Sequence, residues 1–200
     1  MLELAILGLL HESPLHGYEL RQRLKATLGT FRKFSYGSLY PTLRQMKDAG
    51  WIAEDEGDPE VVAGAPALTG RRGKVVYKLT AEGKERFTEL LAEAGPSSWE
   101  DEQFGVHFAF FSKTDPEVRV RILEGRRSRL EERREGVRAG LARTRARLDS
   151  YTLQLQEHGL ESVDREVRWL SELIETERSI NSESPQGTPP EPRSPEPSHS

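Results

Sequence analysis

The 200-residue sequence predicts a mainly α-helical protein, with three short helices and a two-stranded hairpin followed by a long, coiled-coil-like helical region. Three observations carry this reading. Apolar residues recur at helical spacing in the first 50 residues. Two strand candidates, Trp51–Glu54 and Lys74–Leu79, flank a loop rich in Gly and Pro. Beyond Asp115-Pro116, apolar residues repeat every seven positions.

Taken in order, Leu2–Leu10 is a nearly unbroken apolar run, too short to span a bilayer, and reads as a buried helix. After a turn at Ser13-Pro14, Leu15-His16-Gly17-Tyr18-Glu19-Leu20 opens a second helix. Leu20, Leu24 and Leu28 fall on one side of it, and Gly29-Thr30 breaks it. The third helix lies within Phe34–Met46. Leu39, Leu43 and Met46 form its apolar stripe, while Ser38, Tyr40, Thr42, Arg44, Gln45 and Lys47 occupy its other faces. Gly50 closes it as a left-handed cap, and Trp51-Ile52 starts an extended stretch. The second strand alternates Val75, Tyr77 and Leu79 against Val76 and Lys78. Three helices and a hairpin with a basic tip make the pattern of a winged helix-turn-helix, whose third helix suits the DNA major groove.

Charge supports that expectation. Leu20–Lys47 holds seven cations and no acid. The net charge of −4 does not oppose DNA, because charge is segregated: Leu20–Lys47 and Gly64–Lys78 together carry eleven cations and no acid. Five acids (Glu54, Asp55, Glu56, Asp58, Glu60) crowd the first wing strand and its exit. An ordinary core helix with a solvated face would mix both signs.

The motifs Leu4-Ala5-Ile6-Leu7-Gly8-Leu9-Leu10, Leu15-His16-Gly17-Tyr18-Glu19-Leu20 and Gly37-Ser38-Leu39-Tyr40-Pro41-Thr42-Leu43 stand in a telling order. Ala49-Gly50-Trp51-Ile52, Arg72-Gly73-Lys74-Val75-Val76-Tyr77-Lys78-Leu79-Thr80 and Glu82-Gly83 continue it. Over residues 1–93 the chain resembles the PadR family of bacterial transcriptional regulators, and the region after Phe104 more loosely resembles the helical dimerisation segment of its longer members. The wing loop Glu56–Gly73 departs from the pattern in length and in its apolar stretch Val61–Leu68. The resemblance implies a repressor that binds double-stranded DNA at an inverted-repeat operator as a homodimer. Resemblance and residue chemistry together assign Ser35, Tyr36, Ser38, Thr42 and Arg44 to the groove. Tyr18, Tyr40 and Lys47 are assigned to phosphates, and Arg71, Arg72 and Lys74 to the backbone or minor groove. A second reading is a winged-helix protein-interaction adaptor that does not read DNA; the acid-free surface argues against it.

Three regions are expected: a DNA-binding domain over 1–94, a helical dimerisation region over 99–180, and a disordered Pro/Ser-rich tail over 181–200. Thr80 should cap a fourth helix carrying Phe87, Leu90 and Leu91, and Gly95-Pro96-Ser97-Ser98 should act as a hinge. Asp115-Pro116 should start a long helix. Its seam would run through Leu123, Leu130, Val137, Thr144 and Tyr151, with Leu141, Leu148 and Leu155 as a second track. The partner helix comes from Val163–Ile180, from a second subunit, or from both. Eleven arginines between Glu117 and Leu148 read as a solvated coiled-coil face, against a second nucleic-acid surface or an anion site.

The resemblance also implies a flat or aromatic small-molecule effector held between subunits, and Trp99, Phe104, His107, Phe108 and Phe111 are the candidate pocket for it, with packed dimer core as the plainer alternative. An anionic nucleotide held by the long wing and the arginine-rich helix is a further option. The five histidines are scattered, and no catalytic or phosphate-cradling motif occurs, so no enzyme, metal or cofactor is expected. Cysteine is absent, which removes disulfides and thiol chemistry. With neither signal peptide nor membrane segment apparent, the cytoplasm is the expected location.

Overall fold

The computed structural model describes residues 2–29, 36–56 and 75–183. The chain runs α1 (Leu2–Glu12), β1 (Leu15–His16), α2 (Gly17–Leu28), a 3-10 turn at Tyr36–Ser38, α3 (Leu39–Asp48), β2 (Ile52–Glu56) and β3 (Val75–Leu79). Then follow α4 (Ala81–Ala92), a 3-10 turn at Pro96–Trp99, α5 (Asp101–Ala109), α6 (Pro116–Thr144) and α7 (Ser150–Glu183).

The unbroken apolar run of α1 makes it the central helix of the first core, buried from Leu4 to Leu10. Leu20, Leu24 and Leu28 of α2, Leu39, Leu43 and Met46 of α3, and Phe87 and Leu91 of α4 close on it. The helical stripes seen in the sequence are therefore the buried ones. Leu15-His16, expected to open the second helix, instead forms a short strand. It pairs antiparallel with β3, Leu15 opposite Tyr77, so the sheet has three strands in the order β1-β3-β2. The helix begins at Gly17, where the Glu19 carboxylate accepts the His16 N–H at 3.0 Å. Gly50, with φ 77°, makes the reversal from α3 into β2.

Thr80 caps α4: its hydroxyl oxygen accepts from the Gly83 N–H at 3.0 Å and donates to the Gly50 carbonyl at 2.7 Å. One threonine thus joins the start of α4 to the turn that ends α3. At Gly83 a side chain would collide with the Trp51 carbonyl, so glycine permits α4 to lie against that turn.

Helix α5 and the turn after it face two cores at once. Val106 and Phe110 enter the first, and a Cβ at Gly8 of α1 would overlap the Phe110 ring. Phe104 and Phe111 enter a second core with Val118, Ile122, Leu123 and Leu130 of α6 and Val167, Leu170 and Ile174 of α7. The first core thus draws residues from beyond position 94.

The long seam does not run on as expected. Helix α6 starts at Asp115, whose carboxylate accepts the Glu117 N–H at 2.8 Å, but it stops at Thr144. A 3-10 turn at Arg145–Arg147 follows, and α7 folds back antiparallel along α6. Asp149 drives the reversal: one carboxylate oxygen accepts the N–H groups of Tyr151 and Thr152, each at 3.0 Å, and the other the Thr152 hydroxyl at 2.6 Å. Those hydrogen bonds hold the Asp149 carboxyl below its usual range. Tyr151 and Leu155, placed on the seam by spacing, are 82% and 67% exposed near the hairpin tip. Helix α7 continues through Glu183, so Asn181 belongs to it rather than to a tail; residues 184–200 lie outside the described set.

Candidate nucleic-acid interface

Burial of Leu39, Leu43 and Met46 fixes how α3 is rotated. With one stripe committed to the core, Ser38, Tyr40, Arg44, Gln45 and Lys47 are exposed, and Thr42 is half-buried. Arg44 forms no ion pair among the described residues, so its five donors point from an exposed helix face. Thr42 is turned inward: its hydroxyl donates to the Ser38 carbonyl at 2.8 Å, which leaves its oxygen as an acceptor only.

Tyr18 and Tyr40 both lie at the start of α2. Tyr18, 39% exposed, accepts a hydrogen bond from the Gln22 amide at 2.7 Å. Tyr40, 50% exposed, lies over Gly17, where an added Cβ would come 3.4 Å from the Tyr77 ring and 3.7 Å from the Tyr40 ring. Two phenol groups therefore flank the α2 N-terminus, where backbone N–H groups favour an anion.

Lys47, expected to reach phosphates, is paired with Glu54 of β2. Lys78 of β3 is likewise paired with Asp55. Counting charge by segment missed this, because β2 brings its acids back against the end of α3. Burial pushes the Tyr77 phenol up, and Glu54, opposite it in the sheet, adds to that rise. Among the α2 cations, Arg23 lies 4.0 Å from Glu12. Ser35, the Tyr36 side chain, Arg71, Arg72 and Lys74 lie outside the described residues, as do the wing tip and the apolar part of the wing loop.

The five residues of the candidate effector pocket divide between several surroundings. Phe104, Phe108 and Phe111, at i, i+4 and i+7, share one face with Trp169 of α7. Phe108 is 5.0 Å from Phe111 and 5.3 Å from Trp169, ring centre to ring centre. Trp169, 38% exposed, went unnoticed in the sequence because it lies 58 positions beyond Phe111, and only folding back of α7 brings it there. Trp99 packs elsewhere, on Gly125 of α6, where a Cβ would overlap its ring.

His107 turns away from that ring cluster, toward α1 and the end of α4. It lines a cavity of about 30 Å³ with Leu4, Leu90, Glu93, Gln103 and Val106, room for a water or two and not for an aromatic ring. Burial pushes its pKa down to about 4, and its Nδ1 has no hydrogen-bond partner among the described residues.

The arginines of α6 act mainly as braces. Arg134 and Arg138 meet Asp164, Arg119 meets Glu177, and Arg178 reaches back to Glu124, each joining α6 to α7. Arg126, buried, is bound by Glu166, Asp101 and the Trp99 carbonyl. Among the described residues there is no cluster of three metal-ligating side chains, and no helix is long and apolar enough to cross a membrane.

A helical triad with a three-stranded sheet, the third helix offering a polar, cationic face, defines a winged helix-turn-helix protein. Residues 6–89 match the Transcriptional regulator PadR-like family. The Negative transcriptional regulator PadR of Bacillus subtilis (strain 168) is 30% identical over 97 residues, 48% of this chain. The chain spans about half the length of that curated relative, 48%. Among solved structures, Bacillus subtilis PadR in complex with operator DNA is 22% identical with a TM-score of 0.40, covering 88% of this chain and 97% of that one. The same protein in complex with p-coumaric acid gives 21%, 0.40, 88% and 98%. A PadR-like transcriptional regulator from Bacillus cereus gives 22%, 0.39, 89% and 98%.

Proposed function

We propose that this chain is a sequence-specific DNA-binding transcriptional regulator, a repressor that acts as a homodimer on an inverted-repeat operator. The observation that carries the reading is α3 itself, rotated by its buried leucines so that Arg44, Ser38 and Gln45 face outward. Arg is suited to a bidentate contact with guanine, and serine hydroxyls accept or donate at either base edge. Tyr18 and Tyr40 beside the α2 N-terminus suit one phosphate, and Arg71, Arg72 and Lys74 suit the backbone or minor groove. The curated relative is named a negative regulator, which favours repression over activation.

Dimerisation is argued from the α6–α7 hairpin. The hairpin leaves Trp169, beside Phe108, and Ile180 partly exposed, large apolar groups that a second subunit would cover. Two subunits would place their α3 helices about 34–36 Å apart, one DNA turn. Light scattering of the full chain should give the dimer mass at micromolar concentration. A monomer there would remove the operator symmetry from the proposal.

For regulation, the aromatic reading narrows to Phe104, Phe108 and Phe111, which share a face with Trp169. A phenolic acid such as p-coumaric acid, bound by one of the solved relatives, is the natural probe. It would have to favour one spacing of the α3 helices over another to regulate anything.

Selection of bound fragments from a genomic library, followed by sequencing, tests the function directly. The expected product is one enriched sequence with two-fold symmetry. An unenriched pool would contradict the reading.

A further inference from the structure

Resting on the DNA-binding reading above, we propose that Glu54 and Asp55 of β2 hold Lys47 and Lys78 back from indiscriminate phosphate binding. The acidic strand then sets how well the protein separates its operator from other DNA. The arrangement follows from the turn at Gly50, which sends the chain from the end of α3 straight into β2. In the sheet Glu54 lies opposite Tyr77, and Asp55 opposite Val76. Neighbouring residues of a strand point to opposite faces. Glu54 accordingly takes Lys47 of α3 on one face, while Asp55 takes Lys78 of β3 on the other. Two adjacent acids thus engage two cations from different elements of the proposed contact surface.

Exposure separates this role from a stabilising one. The Lys47 and Glu54 side chains are 47% and 36% exposed, and those of Lys78 and Asp55 are 47% and 55%. Pairs so open to water add little to folding stability, and a phosphate can compete for their lysines. Non-specific DNA binding consists essentially of cation–phosphate contacts and counterion release. On that reading, operator binding adds base contacts from Ser38 and Arg44. Engaging two lysines therefore weakens the non-specific mode by the larger fraction. Specificity is the difference between the two affinities, and it grows when the competing mode is penalised.

The test uses the full chain, a fluorescein-labelled random-sequence duplex and a genome-selected fragment, titrated over a potassium chloride series. Glu54→Gln with Asp55→Asn should tighten binding to the random duplex by roughly five- to ten-fold near 0.1 M salt. The slope of log K against log salt should steepen by about 0.9 for each lysine released. The selected fragment should gain less, so the ratio of the two affinities falls. Thermal unfolding of the variant should stay close to that of the parent. The same two acid substitutions, added to a Lys47→Met, Lys78→Met background, should give no gain. An unchanged slope, or an undiminished gain without the lysines, overturns the proposal. If the parent binds neither duplex at any salt, the DNA-binding reading fails, and this inference fails with it.

Discussion

Arg126 of α6 grips Glu166 of α7 through two N–H groups that share one carboxylate oxygen, at 3.0 and 2.8 Å. The same guanidinium donates to the Trp99 carbonyl at 3.2 Å, binds Asp101, and lies 5.4 Å from the Phe104 ring centre. It thereby joins α5 and the turn before it to both long helices. Arg126→Ala would leave Glu166 and the Trp99 carbonyl short of a donor in a partly buried place. The expected loss is about 1–3 kcal/mol, read from chemical denaturation. Since the guanidinium holds the Asp101 carboxyl below its usual range, the Asp101 titration should return toward normal in the variant.

Thr80 offers a second test on a smaller scale. Thr80→Val keeps the shape and removes both the cap on Gly83 and the bond to the Gly50 carbonyl. Stability should fall by about 0.5–2 kcal/mol, and Thr80→Ser should recover most of it. Amide exchange at Gly83 should quicken in the valine variant alone.

His107 predicts a pH dependence. In the fold its pKa is pushed down to about 4 by burial, against about 6.5 when unfolded. Between those values the unfolded chain binds the extra proton, so stability is lost as pH falls from about 6.5 to 4, by up to about 3 kcal/mol. Glu93, just past the end of α4, lines the same cavity and is the neighbour to watch. His107→Gln should flatten this part of the stability curve. An equally steep loss in that variant would assign the effect to other groups.

The parts of the fold readable in the sequence were those set by local periodicity or by one residue's geometry. Leu39, Leu43 and Met46 marked the buried stripe of α3, Gly50 its end, and Thr80 and Asp115 their caps. Leu15-His16 was not readable as a strand, because two residues carry no alternation, and the pairing with Tyr77 and Val76 comes from 60 positions away. The reversal at Arg145–Asp149 was masked by leucines that keep the seven-residue spacing through it; Asp149 next to Ser150 was the available signal. In the candidate interface, the outward face of α3 was legible. The engagement of Lys47 by Glu54 was not, since it depends on β2 returning beside α3. Likewise α5 and the turn after it split an aromatic segment that looked continuous, with Phe104 and Phe111 in the second core and His107 at a cavity beside α1 and the end of α4.

The outward arginine of α3 gives the most direct test of the central claim. A genome-selected fragment and a random duplex are titrated by fluorescence anisotropy with the full chain and with Arg44→Ala. The parent should prefer the selected fragment and show a steep salt dependence on both duplexes. The variant should lose about 1–3 kcal/mol on the selected fragment and little on the random one. A parent with no preference, or an Arg44→Ala protein that discriminates as well as the parent, would contradict the account.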